Sequence, residues 1–272
     1  MSRFIRSNFR LKTLADNSFR AINDGAYNAD KYDFSRHSSI CIKKQILTCP
    51  HAPLITEIKI SSPSRGKIID SMDNNLVEIA KTMVSGGAIS LSVLTQPYLF
   101  DGSIDYLAMI RKTINIPLLM KDIIVSDVQI DCAKRIGADC ILLIKAMFDN
   151  NLTEGGLEKF SEYAAKKGLQ VLVEVHSEQE FEEVVRYRRK YYDLIGVNNR
   201  DLNNLDVDIS TTARLLKKVN KGKNIVVSES GITKAAQIRY LKEAGADCFL
   251  IGTSILASAS IESKLKELYF SF

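Results

Sequence analysis

From about residue 54 onward, short β-branched apolar runs alternate with longer segments whose apolar positions recur three and four apart. This is the pattern of β/α units wrapped around a parallel sheet. The runs span 54–60, 89–95, 117–121, 139–144, 170–175, 193–199, 224–230 and 247–252. The helical candidates span 72–85, 104–113, 127–136, 156–167, 178–190, 209–219, 234–244 and 261–269. Strand then helix, eight times over, predicts a closed α/β barrel, the (β/α)8 TIM barrel. An internal echo supports the repeat. Gly137-Ala138-Asp139 and Gly245-Ala246-Asp247 each end a helix and open an apolar strand, four repeat units of about 27 residues apart. A glycine in a left-handed helix cap explains both copies. The rival, an open doubly wound sheet, lacks a G-x-G-x-x-G after the first strand and any break in composition between halves.

Residues 1–53 stand outside the repeat. Phe4, Ile5, Phe9, Leu11, Leu14, Phe19 and Ile22 are irregularly spaced, and a polar stretch over 28–39 follows. One or two short helices packed on the barrel are expected there, giving an N-terminal helical extension (1–53), a catalytic barrel (54–272) and one structural domain in all. A flexible tail is the alternative, and the number of large apolar side chains argues against it.

With 272 residues, 46% apolar and 25% charged, the chain has an ordinary globular composition, which excludes disorder or a low-complexity repeat as the main state. The net charge of +5 is spread along the chain and forms no stripe interleaved with aromatics. It suits a solvated surface and an anionic small molecule better than a nucleic acid. Five cysteines without a C-x-x-C pair suggest reduced, packed thiols of a cytoplasmic protein. No segment is long and apolar enough for a membrane span. The basic, Ser- and Arg-bearing opening leaves a transit peptide as the alternative to a cytoplasmic chain. His37, His51 and His176 are scattered without metal-ligand spacing or an acidic partner in register, so neither a metal site nor a triad is expected. His176 is expected as a spectator in the pocket.

Polar residues collect where buried strands should be apolar, at the strand C-termini where this fold builds its sites. Glu57 and Lys59 share one face of the first run, Lys121-Asp122 closes the third, and Glu174 lies in the fifth. Asn198-Asn199-Arg200-Asp201 closes the sixth and Ser228-Glu229-Ser230 the seventh. Amines and carboxylates from separate strands at one mouth make an acid/base site; Lys145, also at a strand end, reads as structural. Ser230-Gly231 and Gly252-Thr253 fall in the loops after strands seven and eight, the common phosphate cradle of the fold, with the Ser62-Pro63-Ser64-Arg65-Gly66 loop opposite.

The run Glu57-Ile58-Lys59-Ile60-Ser61-Ser62-Pro63-Ser64-Arg65-Gly66, together with Leu119-Met120-Lys121-Asp122, Glu174, Gly196-Val197-Asn198-Asn199-Arg200-Asp201-Leu202, Glu229-Ser230-Gly231 and Ile251-Gly252-Thr253, resembles the indole-3-glycerol phosphate synthase family from about residue 50 to the end. The resemblance implies a carboxy-lyase of tryptophan biosynthesis. Such an enzyme closes 1-(2-carboxyphenylamino)-1-deoxyribulose 5-phosphate to indole-3-glycerol phosphate, with loss of carbon dioxide and water and no cofactor. By motif position, Lys121 would be the general acid and Glu174 the acid/base of dehydration. Lys59 would hold the substrate carboxylate or phosphate and share in proton transfer. Glu57 and Asn198 would orient hydroxyl groups and the lysines. Ser62, Ser230, Gly231, Gly252 and Thr253 would cradle the phosphate beside Arg200 and Glu229, and Phe100, Leu202 and Leu205 would wall the anthranilate ring. Two departures stand out: Ile123 where many members carry Phe, and Thr253 for a frequent Ser. A monomer is expected, with other tryptophan-pathway enzymes as candidate partners. Among rivals, a phosphoribosylanthranilate isomerase would need a Cys/Asp pair, and no Cys ends the first strand. A Schiff-base aldolase would trap one lysine covalently. A silent phosphate-binding barrel would not need the Glu57, Lys59, Lys121 and Glu174 set.

Overall fold

The computed structural model describes residues 3–34, 36–62, 66–67, 73–187, 192–202 and 204–272, with the backbone alone at 3–10, 62, 67 and 73–75. Eight parallel strands close into a barrel: β1 Leu54–Ile58, β2 Ser90–Leu94, β3 Leu118–Lys121, β4 Cys140–Ile144, β5 Gln170–Val175, β6 Leu194–Asn198, β7 Val226–Glu229 and β8 Cys248–Ile251. Each pairs with the next, and β8 pairs back to β1 through Leu54 opposite Phe249. Two helices precede the barrel, α1 Arg3–Asn23 and α2 Ile42–Thr48. One outer helix then follows each strand: α3 Asp73–Ser85, α4 Ile104–Arg111, α5 Asp127–Arg135, α6 Leu157–Lys166, α7 Glu178–Arg186, α8 Ser210–Lys218, α9 Ala235–Glu243 and α10 Ile261–Tyr269. Every predicted run contains its strand, trimmed by up to two residues at either end. The helices likewise start and stop within two residues of expectation, except that the predicted extension of α7 over 188–190 lies outside the described residues.

The strand period of two sorts the core into two layers. Ile55, Leu119, Leu142, Leu172, Leu194, Val227 and Leu250 form one buried cluster, the barrel interior. Their immediate neighbours, including Leu54, Leu118, Ile141, Val171, Val173, Ile195, Val226 and Phe249, form a second cluster with the helices. The barrel is therefore a filled cylinder, and the cavity lies above its interior layer at the strand C-termini, with Leu142 and Leu250 at its floor.

Both Gly137 and Gly245 have positive φ, 84° and 105°, as the left-handed caps require. The aspartates that follow them have a job that periodicity does not reveal. Each accepts the backbone N–H that opens the neighbouring strand: Asp139 that of Leu118 at 2.7 Å and Asp247 that of Val226 at 2.8 Å. Asp193 likewise accepts the N–H of Val171, the second residue of β5, at 2.9 Å. These carboxylates satisfy donors at the barrel's lower end that have no partner strand.

The extension departs from expectation in one respect. Its first helix is not short: α1 runs 21 residues, with Leu11 and Ala15 in the interior cluster and contacts to the short helices Pro97–Phe100 and Lys145–Asp149 above the strand C-termini. From there the chain descends along α4 and α5. Tyr27 donates to Asp122 at 2.8 Å, Lys31 pairs with Asp105 at 2.8 Å, and Arg135 with Asp30 at 2.7 Å. It then reaches the bottom, where Ile40 N–H donates to Asp139 and Ile42 and Ile46 of α2 join the interior cluster. A second correction concerns His37. Its Nε2 lies 2.8 Å from Asp139, an acidic partner 102 positions away that no local spacing could show. Asp139 also binds Arg111 at 2.8 Å. All five cysteines are free, and Cys132, Cys140 and Cys248 are packed as expected, whereas Cys41 is exposed. Among the described residues no helix is long and apolar enough to cross a membrane.

Candidate active site

At the C-terminal mouth, most interior apolar residues are followed two positions on by a polar or small one, Leu142 with Ile144 being an exception. Ile55 leads to Glu57 and Lys59, Leu119 to Lys121, and Leu172 to Glu174. On the other side of the barrel Leu194 leads to Gly196 and Asn198, Val227 to Glu229, and Leu250 to Gly252. The same alternation that fills the barrel thus aims these residues at one space. All of them except Gly196 line a cavity of about 870 Å³. All the sequence-predicted site residues line it together, namely Glu57, Lys59, Phe100, Lys121, Glu174, Asn198, Arg200, Leu202, Leu205, Glu229, Ser230, Gly231, Gly252 and Thr253. Ser62 is the exception: its backbone pairs with Gly66 in a two-residue strand, and its side chain, like Pro63, Ser64 and Arg65, lies outside the described residues.

Lys121 sits between two carboxylates, hydrogen-bonded to Glu229 and 3.3 Å from Glu174. Burial opposes its charge, but Glu229, Glu174 and Glu57 together outweigh burial and hold the ammonium far above its ordinary value. Lys59 donates to Glu57 at 2.5 Å. Burial raises the Glu57 carboxyl while Lys59 and Lys121 lower it, and the lysines prevail. Glu174 is held well below the usual carboxylate range, because Lys121, His176 and Asn198 overcome its burial. Glu229 goes the other way. Burial and the neighbouring Glu174 raise it to about 7 against the pull of Lys121. One buried mouth therefore holds an ammonium that keeps its proton, a carboxylate that stays ionised and a carboxyl that titrates near neutrality, the divergence expected of an acid/base site.

Two glycines make room for these carboxylates. A Cβ on Gly196 would lie 2.1 Å from Glu229 Oε1, and one on Gly252 would lie 2.8 Å from Glu57 Cβ. The opposite rim is built from backbone. Ser230 and Gly231 both have positive φ, 68° and 85°, and Gly252 caps the short helix Thr253–Leu256. Ser254 turns its hydroxyl away to Ile232 O. Arg200 donates to Leu205 O at 2.9 Å, which steadies a loop whose Leu205 has φ 65° and whose Leu202 and Leu205 form an apolar wall with Phe100. Ile123 joins that wall and packs in the interior cluster beside Leu11 and Ala15 of α1.

Several roles were not foreseen. Thr13 and Leu14 bring α1 to the cavity edge. Asp122, beside Lys121, accepts from Tyr27, Thr95 and the Ile123 N–H and ties the extension to the mouth. His176 is not the spectator expected of it, since it stands 3.1 Å from Glu174 and does not line the cavity. Lys145 is structural as expected, buried against Asp149 and Glu183. Among the described residues no cluster of three His, Cys, Asp or Glu side chains could hold a metal ion.

A family model described as indole-3-glycerol phosphate synthase matches residues 33–268. Two curated relatives carry the same description. That from Methanocaldococcus jannaschii is 43% identical over 215 residues, covering 79% of this chain and 77% of its own. That from Lachnoclostridium phytofermentans is 39% identical over 244 residues, covering 88% and 86%. Among solved structures, a thiamine phosphate pyrophosphorylase from Pyrococcus furiosus aligns with a TM-score of 0.55 at 14% identity, over 84% of this chain and 96% of that one, a likeness of fold alone.

Proposed function

The chain belongs to the indole-3-glycerol phosphate synthase family, carboxy-lyases of tryptophan biosynthesis acting on a small phosphorylated substrate, and on that premise we propose how its residues divide the reaction. The observation that carries the proposal is Lys121, held between Glu174 and Glu229 in the same cavity as the Glu57–Lys59 pair.

Ring closure forms a carbon–carbon bond from the anthranilate ring to the ketone carbon and leaves negative charge on the ketone oxygen. Lys121, kept charged by its two carboxylates, donates a proton there. The substrate carboxylate then leaves as carbon dioxide, and its electron pair returns to the ring. The new hydroxyl departs as water on a second proton, supplied by Lys59, and Glu174, ionised and facing the cavity, takes the proton whose loss completes the indole. Lys59, aimed by Glu57, pairs with the substrate carboxylate or phosphate and shares in proton transfer. Asn198 orients Glu174 and the substrate hydroxyls. Ser62, Ser230, Gly231, Gly252 and Thr253 supply hydroxyls and backbone N–H groups for the phosphate, with Arg200 and Glu229 beside them. Phe100, Leu202 and Leu205 flank the ring, which the apolar wall also shields from water. Each of these groups comes from a single chain, which supports a monomer as the working unit, and the unpaired cysteines suit a reducing cytoplasm. Other tryptophan-pathway enzymes are the candidate partners.

Purified protein given the carboxyphenylamino-deoxyribulose phosphate should develop indole fluorescence at the same rate with and without a chelator. Lys121→Met and Glu174→Gln should each slow turnover at least about a hundredfold. Unchanged rates in both variants would overturn the assignment, and a lysine trapped by borohydride would point to aldolase chemistry instead.

A further inference from the structure

The residue that follows β5, His176, lies behind the site rather than in it. Its side chain is 10% exposed; Nε2 stands 3.1 Å from Glu174 Oε1, and Nδ1 stands 3.8 Å from Glu180 Oε2. Neither nitrogen makes a well-directed hydrogen bond, so the contact is that of a charge between two carboxylates. The start of α7 dictates this placement. Ser177 Oγ accepts the Glu180 N–H at 3.2 Å, while the Glu180 carboxylate reaches back past the cap to accept the His176 N–H at 2.7 Å. This is a capping box displaced by one residue, and it sets an anion beside the ring nitrogen that Glu174 does not use.

Burial disfavours a charged ring, yet Glu174 and Glu180 outweigh it and raise His176 to about 10. Other charges surround this pair of contacts. Lys121 and Glu229 lie beyond Glu174, and Asp149, Glu183 and Lys145 lie beyond Glu180. The two oxygens of Glu174 are gripped from opposite sides, Oε2 by Lys121 and Oε1 by His176. Because Lys121 is shared with Glu229, it cannot by itself fix the plane of the Glu174 carboxylate.

We infer that His176 is a positioning residue, which holds Glu174 aimed at the cavity as a carboxylate and is itself held by Glu180. The inference rests on reading Glu174 as the group that takes the proton.

Nitrogen NMR of histidine-labelled wild-type protein reads the ring directly. His176 is expected to stay doubly protonated to at least about pH 9, and Glu180→Gln is expected to lower its titration. A wild-type ring that titrates near its ordinary 6.5 overturns the inference. His176→Gln removes the charge and keeps a donor. It should lower kcat at pH 7 about tenfold with KM within about twofold, since Glu174 loses the neighbour that holds its carboxylate in place. A kcat equal to that of wild type also overturns it. The two claims fail separately. A fully active Glu174→Gln removes the reading of Glu174, whereas a neutral His176 in an enzyme that Glu174→Gln cripples removes only the inference.

Discussion

Gly196→Ala adds one methyl group inside the barrel, and the structure says what it meets. The new Cβ would fall 2.1 Å from Glu229 Oε1, against an ordinary contact near about 3.5 Å. Gly196 lies within β6 and has no positive φ, so the backbone accepts alanine and the entire obstruction is the carboxylate. Glu229 must withdraw by more than about 1 Å, and its hydrogen bond with Lys121 goes with it. A shift of that size in the carboxylate that holds the proton donor Lys121 costs about a hundredfold in kcat, roughly 2.7 kcal/mol of barrier. Overpacking a closed interior costs about 1–3 kcal/mol of stability. Indole fluorescence under saturating substrate measures the first effect and a thermal melt the second. The cause can be isolated by a double-mutant cycle. In a Glu229→Ala background there is no carboxylate to displace, so Gly196→Ala should add no further loss of rate, and the two effects should be strongly non-additive. A single variant with kcat within about threefold of wild type, or additive losses in the cycle, would refute the claim that Gly196 exists to seat Glu229.

Further outcomes follow from the same geometry. Asp139→Asn, at the barrel end opposite the cavity, strips a carboxylate that receives Arg111, His37 and the Ile40 and Leu118 N–H groups. Because the Arg111 side chain is only 3% exposed, leaving it unpaired should cost about 3–5 kcal/mol. The melting temperature should fall by at least about 6 °C while KM at 25 °C stays unchanged; an unaltered melt would sink this reading. Glu229→Gln bears on pH. The folded-state value of Glu229 is raised to about 7 from an ordinary 4.5, so its protonated form favours the folded chain. That contribution is complete below about pH 4.5 and is lost as pH rises through 7. Melts from pH 5 to 8 should therefore show the Gln variant gaining on wild type as pH rises, and a constant difference would show that Glu229 titrates normally.

How much of this could be read from the chain alone depends on the range of the interaction involved. The eight strands and their helices are written in periods of two and of three to four, which involve only near neighbours, and the site residues are extensions of the same alternation. Glu174 faces the cavity for the reason Leu172 faces the core. What the alternation does not carry is which side chain from another strand meets each one. His37 and Asp139 are joined by the path of the extension down the side of the barrel, and His176 meets Glu174 only because the first turn of α7 folds Glu180 back over its own cap. One local signal for the latter was present. Ser177 and Glu180 stand three apart at a helix start, a spacing that places a carboxylate near the residues just before the helix, and here one of those residues is a histidine two positions beyond a strand-end glutamate. The long α1 was harder to read because the stripe its described side chains bury, Leu11, Ala15, Ser18 and Ala21, is made largely of small residues and carries little apolar signal. The unforeseen parts of this molecule are therefore the parts where one element is held by another far away in sequence, and these same contacts decide the protonation of the groups the period-two pattern had already brought to the mouth.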